Sequence, residues 1–198
     1  MGWNKGKETR RRILQAASAL FAERGFEATS VREIVARAGV SKPVLYYYFT
    51  NKEDLCRRLL AESFEEFTQE LMGALARPGD CRKRIEAIVW AHFRACNESL
   101  DLARFLYATS FGPESSPFSQ DSVRFNDNLR RLVADAIKAM QAAGHVRKDA
   151  DAEFLATVLQ GEIQIWMMLE IKRKHSLLTR RLAKKITTHF FEGAAASG

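Results

Sequence analysis

In the stretch GVSKPVLYYYFTNKEDL, residues 39–55, the tyrosines Tyr46, Tyr47 and Tyr48 stand between two lysines, Lys42 and Lys52, each four positions from the nearest tyrosine. A phenol ring can touch a thymine methyl or pack along a sugar while its hydroxyl bonds a phosphate oxygen, and a lysine ammonium neutralises backbone phosphate. Other chemistries lack their residues. The three cysteines, Cys56, Cys81 and Cys96, are far apart and form no C-x-x-C pair, and His92, His145, His175 and His189 lack metal-ligand spacing. No Gly-rich phosphate loop or G-x-S-x-G elbow occurs, so no catalytic residue, metal site or cofactor is expected.

The tyrosines need a helix to present them. At about 100° per residue, Leu45 and Phe49 fall on one side of a helix over Ser41 to Tyr48 or Phe49, with Val40 ahead of it also available to a core. Pro43, Val44 and Tyr47 then point the opposite way, Tyr46 and Tyr48 lie on the flanks, and Lys42 lies nearer the anchored side. Ser41 is expected to cap this helix through its hydroxyl, with Pro43 harmless in the first turn. Before it, Ser30-Val31-Arg32-Glu33 fits a capping box, Val31, Ile34, Val35 and Ala38 form an inward stripe, and Gly39 breaks the helix. A first helix from Lys7 or Thr9 to Arg24 carries Ile13, Leu14, Ala17, Leu20 and Phe21 on one face and stops at Gly25. Two short helices about a glycine turn, backed by a third, make a helix-turn-helix whose second member enters the DNA major groove. Lys52 and the arm Lys5, Lys7, Arg10, Arg11 and Arg12 would then clamp phosphates, and Arg32 would reach a phosphate or a base. Plain packing is the other reading of a tyrosine run.

The rest of the chain is also helical in pattern. A long helix over 52–76 stops at Arg77-Pro78-Gly79, and further helices follow at about 80–98, 101–111, 119–143, 151–174 and 179–192, about nine in all and no convincing strand. The expected division is a DNA-binding domain over 1–51 and a body over 52–198, with the fourth helix as connector. Charge follows the same division: residues 1–58 hold twelve Lys and Arg against six Asp and Glu, and the remainder nineteen against eighteen. A basic module on a nearly neutral body suits a polyanion partner. The 198 residues, 46% hydrophobic and 28% charged, can bury a core. No apolar run approaches the roughly 20 residues of a membrane span and the start lacks a secretory signal, so a cytoplasmic protein without a membrane partner is expected.

Within the body, Trp90, Phe93, Phe105, Tyr107 and Phe111, with Arg94 and Asn97 as polar anchors, could line a pocket or be ordinary helical core. The segment TVLQGEIQIWMMLEIKRK, residues 157–174, is apolar on nearly all sides between Leu159 and Ile171, as for a helix covered by its own core and by a partner subunit. Trp166 joins the pocket candidates, and so does Glu162, which would face a cationic ligand or a hydrogen bond across subunits.

Residues 20–55, LFAERGFEATSVREIVARAGVSKPVLYYYFTNKEDL, resemble the DNA-binding domain of the tetracycline-repressor (TetR) family of bacterial transcription regulators. Leu20-Phe21, Gly25-Phe26, Thr29-Ser30-Val31, Ile34, Ala38-Gly39-Val40-Ser41, Leu45-Tyr46, Phe49 and Lys52-Glu53-Asp54-Leu55 carry the likeness in order. The resemblance implies a homodimer joined through the last two long helices, about 151–174 and 179–192, that binds a double-stranded, pseudo-palindromic operator. It further implies a repressor released by a small molecule. The family's DNA contacts fall on Thr29, Arg32, Lys42, Pro43, Val44, Tyr46, Tyr47, Tyr48 and Lys52, with Tyr46, Tyr48 and Lys52 on phosphates and Lys42, Pro43, Val44 and Tyr47 nearest the bases. Left open are a regulator of this fold answering to another signal, an activator, and a sequence-indifferent DNA-binding protein.

Overall fold

The computed structural model describes residues 2–76, 80–112, 117–173 and 176–194, and among these the chain is all-α. Nine helices follow one another: α1 Gly2–Arg24, α2 Val31–Ala38, α3 Lys42–Tyr48, α4 Lys52–Leu75, α5 Cys81–Glu98, α6 Leu100–Phe111, α7 Ser119–Ala142, α8 Ala152–Arg173 and α9 Arg180–Ala194. The largest departure from expectation is the start of α1, at Gly2 instead of Lys7 or Thr9. Gly6 has poor helix propensity, but a Cβ built on it would lie only 3.4 Å from the Tyr48 hydroxyl. α1 thus passes close to α3 at this point. The stop at Arg77-Pro78-Gly79, residues 113–116, the tail from 195 and the side chains of Lys5, Arg173, Lys174 and His175 lie outside the described residues. No helix among the described residues is long and apolar enough to cross a membrane.

The helix ends follow from local chemistry. Ser30 and Glu33 form the expected capping box at α2, and Asp80 accepts the Lys83 amide at 2.8 Å to start α5. Asp151 accepts from the Glu153 and Phe154 amides at 2.8 and 3.2 Å and starts α8. Ser41, contrary to expectation, makes no side-chain cap at α3. Pro43 near the helix start removes a donor there, so less is left for a hydroxyl to satisfy.

The chain divides into two compact units, Met1–Glu65 with Asp101–Ser119, and Glu66–Leu100 with Gln120–Gly198. Within the first unit, the first half of α4 and most of α6 complete the core around the helix-turn-helix. Leu55, Cys56, Leu59 and Leu60 from α4, Phe105 from α6 and Phe118 join Ile13, Leu20, Phe21, Ile34, Leu45 and Phe49 in one buried cluster. In the second unit α5 packs along α9 and α8, with Ile85, Val89, Phe93, Leu159, Ile163, Ile186 and Phe190 buried.

Candidate nucleic-acid interface

Two side chains seat α3 and the others remain outside. Leu45 and Phe49 are 0% and 1% exposed, whereas Tyr46 and Tyr47 are 51% and 81% exposed. Lys42 and Pro43 are also exposed, and Val44 and Tyr48 are half-buried. The Tyr47 ring stands edge-on to Tyr48 at 4.9 Å, and Tyr48 in turn lies 6.4 Å from buried Phe49. Tyr47 is thus an exposed ring braced at one edge. Such a residue offers a large contact with few rotamers to order.

The turn ahead of α3 is built from backbone and one arginine. Gly39 takes a left-handed conformation, φ 62° and ψ 42°, while Val40 donates its amide to the Val35 carbonyl at 3.0 Å. The Arg12 guanidinium donates to the carbonyls of Ala38 and Gly39, and a Cβ on Gly39 would come within 2.8 Å of it. The positive φ is what favours glycine here, since the guanidinium lies at the end of a flexible side chain that can shift. Across α1 and α2, Arg24 pairs with Glu33 and Arg37 with Glu23, each at 2.6 Å. Exposed pairs of this kind contribute about 0–1 kcal/mol each.

These bonds revise the expected phosphate arm. Arg12 is committed to the α2 carbonyls, and Arg10 to Glu62 with its guanidinium 5.4 Å from the Phe49 ring centre. Arg11 pairs with Glu8 at 2.8 Å. Lys7 is exposed. Arg32 and Lys42 are exposed and have no ion pair among the described residues.

Two expected DNA contacts face inward. Thr29 is 2% exposed, and its hydroxyl lies 2.8 Å from the Gly25 carbonyl and 3.3 Å from that of Leu20. The Lys52 ammonium donates to the carbonyls of Phe26 at 2.7 Å, Thr29 at 2.9 Å and, more weakly, Glu27 at 3.4 Å. On either side of it, Asp54 accepts the Thr50 amide at 2.9 Å and Asn51 accepts the Asp54 amide at 2.8 Å. Asp54 is held below the usual carboxylate range by its bond to Arg58 first and by the Thr50 amide second. These reciprocal bonds, which the sequence reading missed, fix the step from α3 into α4.

The expected ligand residues fall in both compact units. Phe105 packs against Phe21 at 5.2 Å in the core of the first unit, and Tyr107 and Phe111, 4.6 Å apart, belong to that unit too. The cause is the apolar face of α6, which serves the helix-turn-helix core. In the second unit Phe93 is fully buried, Trp90 carries Arg180 at 4.4 Å from its ring centre, and Trp166 is half-buried. Arg94 pairs with Glu70 at 2.7 Å, and Asn97 donates to the Leu178 carbonyl at 3.0 Å. Glu162 meets His189 of α9 at 3.1 Å, a partner within the same chain that was not anticipated. His92, set aside for lack of metal-ligand spacing, lies in the core of the second unit. It is buried, lies edge-on to Phe67 at 4.7 Å and bonds the Ile88 carbonyl through Nδ1 at 2.8 Å. Burial pushes its pKa down, so the imidazole is neutral with Nε2 as an acceptor.

The model of the family described as bacterial regulatory proteins, tetR family, matches residues 13–59, the span from mid-α1 into α4. The transcriptional repressor KstR2 of Rhodococcus jostii is 30% identical over 150 residues, which are 75% of this chain and 73% of that protein. The transcriptional activator FasR of Mycolicibacterium smegmatis is 34% identical over 116 residues, 59% of this chain and about half of its own length, 53%. Among solved structures, the fatty acid degradation regulator FadR from Bacillus halodurans has a TM-score of 0.82 at 19% identity and covers 96% of this chain and 97% of its own, a likeness of fold.

Proposed function

The chain belongs to the TetR family of bacterial regulatory proteins, and from that premise we propose a dimeric repressor that grips a pseudo-palindromic operator through α3 and is released by a small, largely apolar molecule. The observation that carries the DNA-binding surface is the exposed face of α3: two solvent-facing tyrosines on a helix seated by Leu45 and Phe49, with the exposed cations Lys42 on α3 and Arg32 on α2, neither in an ion pair among the described residues. Tyr47 reaches the base edges with Lys42, Pro43 and Val44, where Lys42 donates to guanine O6 or N7 and Val44 meets a thymine methyl. Tyr46 and Tyr48 place their hydroxyls on phosphates, and Arg32 reaches a phosphate or a base from the start of α2.

Two copies are needed to read a palindrome. Phe154, Val158 and Ile165 of α8 are apolar and 64%, 45% and 47% exposed, at spacings of four and seven that put them on one helix face. A second copy covering this face, with α8 and α9 of each chain, makes the dimer. Half-sites one helical turn apart lie about 34–36 Å from each other, so a change of a few ångströms between reading heads abolishes simultaneous docking. The effector acts by binding the non-docking arrangement more tightly, with α4 as the continuous helix that connects the two units. Trp90, Phe93 and Trp166 supply apolar surface for it, and the Nε2 of His92 a hydrogen-bond acceptor. The name of FasR favours one alternative, activation from the same DNA contacts.

Selection of bound duplexes from a random pool tests the reading. An inverted repeat is expected. Recovery of unrelated sequences, or none, would contradict it.

A further inference from the structure

We infer that Lys52, placed where a phosphate contact was expected, is a positioning residue that latches the start of α4 to the α1–α2 loop and so sets the docking geometry of the helix-turn-helix. The inference rests on the DNA-binding reading. An ammonium has three N–H donors and no acceptor, and here three loop carbonyls, those of Phe26, Glu27 and Thr29, surround it at 2.7, 3.4 and 2.9 Å. The Phe26 ring centre lies 4.1 Å from the same nitrogen, within range for a cation–π contact. A phosphate would have to displace bonds already made.

The position of Lys52 makes the same point. It is the first residue of α4, at the end of a helix where the backbone dipole disfavours a cation. The loop carbonyls offset that. They belong to the segment between Gly25 and Ser30 that leads directly into the α2 cap, and Thr29 in this segment is buried with its hydroxyl bonded to the Gly25 carbonyl. Phe26 also packs against Phe118, edge-on at 4.8 Å, and against Phe21 at 5.4 Å. A displacement of the α4 start therefore loosens this loop directly, and the loop sets where α2 begins.

Lys52→Met, Lys52→Arg and Lys42→Met are compared with wild type by amide hydrogen exchange without DNA and by the salt dependence of binding to a random-sequence duplex. A latch that opens leaves the docking-competent loop as a minor state, so in Lys52→Met exchange at residues 26–30 should accelerate and affinity should fall together, each on the order of tenfold. The slope of log K against log salt should stay at the wild-type value, whereas Lys42→Met, whose ammonium meets no fixed guanine on random-sequence DNA and turns to the phosphates there, should flatten it by about 0.9, one phosphate. Lys52→Arg should restore protection and affinity, because a guanidinium also donates to several carbonyls. Flattening by about one phosphate in Lys52→Met, or unchanged exchange at 26–30, overturns the latch. Unchanged affinity of folded Lys52→Met would reduce Lys52 to a stabilising contact and also overturn it. If Lys52→Met does not fold, Lys52→Arg together with the wild-type ammonium resonance decides: protected ammonium protons in the DNA-free protein, unmoved by DNA, support the latch, and a resonance that shifts on DNA addition refutes it. Should wild type bind no DNA at all, the regulator reading fails while the DNA-free exchange still decides whether the loop is latched.

Discussion

Thr29 is 2% exposed and Tyr47 is 81% exposed, although the family resemblance led both to be expected on DNA. The difference lies in what each polar atom already holds. The Thr29 hydroxyl donates inside the fold toward the Gly25 and Leu20 carbonyls, whereas the Tyr47 hydroxyl is outside, on a ring braced by Tyr48. Replacing Thr29 with Val keeps shape and removes the bond, which should lower unfolding free energy by about 1–2 kcal/mol in denaturant titration. Operator affinity of the folded variant should hold within roughly twofold, since about 1.4 kcal/mol would be needed for tenfold. A large affinity loss without a stability loss would restore Thr29 to the contact set. The sequence could mark these residues by type and order, but it could not say which hydroxyl turns inward, because that depends on carbonyls of α1 brought back by the turn at Gly25.

At the scale of elements, the cap of α2 and its glycine stop were legible because they are local chemistry: Ser30 and Glu33 three apart, then Gly39. The Glu33 carboxylate accepts the Ser30 amide at 2.9 Å and the Ser30 hydroxyl at 2.8 Å. Its pKa is held below the ordinary 4.5 by the Ser30 amide first, then the hydroxyl, with Arg24 adding. A folded value below the unfolded one means the contribution is complete above about pH 4.5 and is lost as pH falls through the lower, folded value. Wild type should therefore exceed Glu33→Gln in thermal midpoint near neutrality, and the gap should close as pH drops below 4.5. A gap independent of pH would show that the charge has no part in the cap. What was not legible was α6, whose Phe105 serves the first unit's core. Its periodicity announces an apolar face, and nothing in periodicity says which neighbour that face meets. The same holds for Arg10 and Arg12, read as a free arm but bonded to Glu62 and to the end of α2.

At the scale of the molecule, the all-α class and the number of helices were legible from punctuation by Gly, Pro and capping residues. α4 runs unbroken from Lys52 to Leu75, and its two halves belong to different cores, which a linear division cannot express. The exposed apolar face of α8 remains the feature that a lone chain does not explain. Introducing Lys at both Phe154 and Ile165, each already solvent-facing, should leave helicity unchanged and turn a dimer into a monomer in sedimentation. Loss of bivalent binding should then weaken operator affinity by about a hundredfold or more. A wild-type monomer at micromolar concentration would remove the palindrome argument.

The most direct measurement is competition between the duplex recovered by selection and random duplex DNA, for wild type and Tyr47→Ala at fixed salt. The predicted result is a wild-type preference of about a thousandfold or more, reduced on the order of tenfold in the variant through weaker binding to the selected duplex alone. Equal affinity of wild type for both DNAs, or equal losses on both in Tyr47→Ala, would contradict the assignment of α3 as the element that reads sequence.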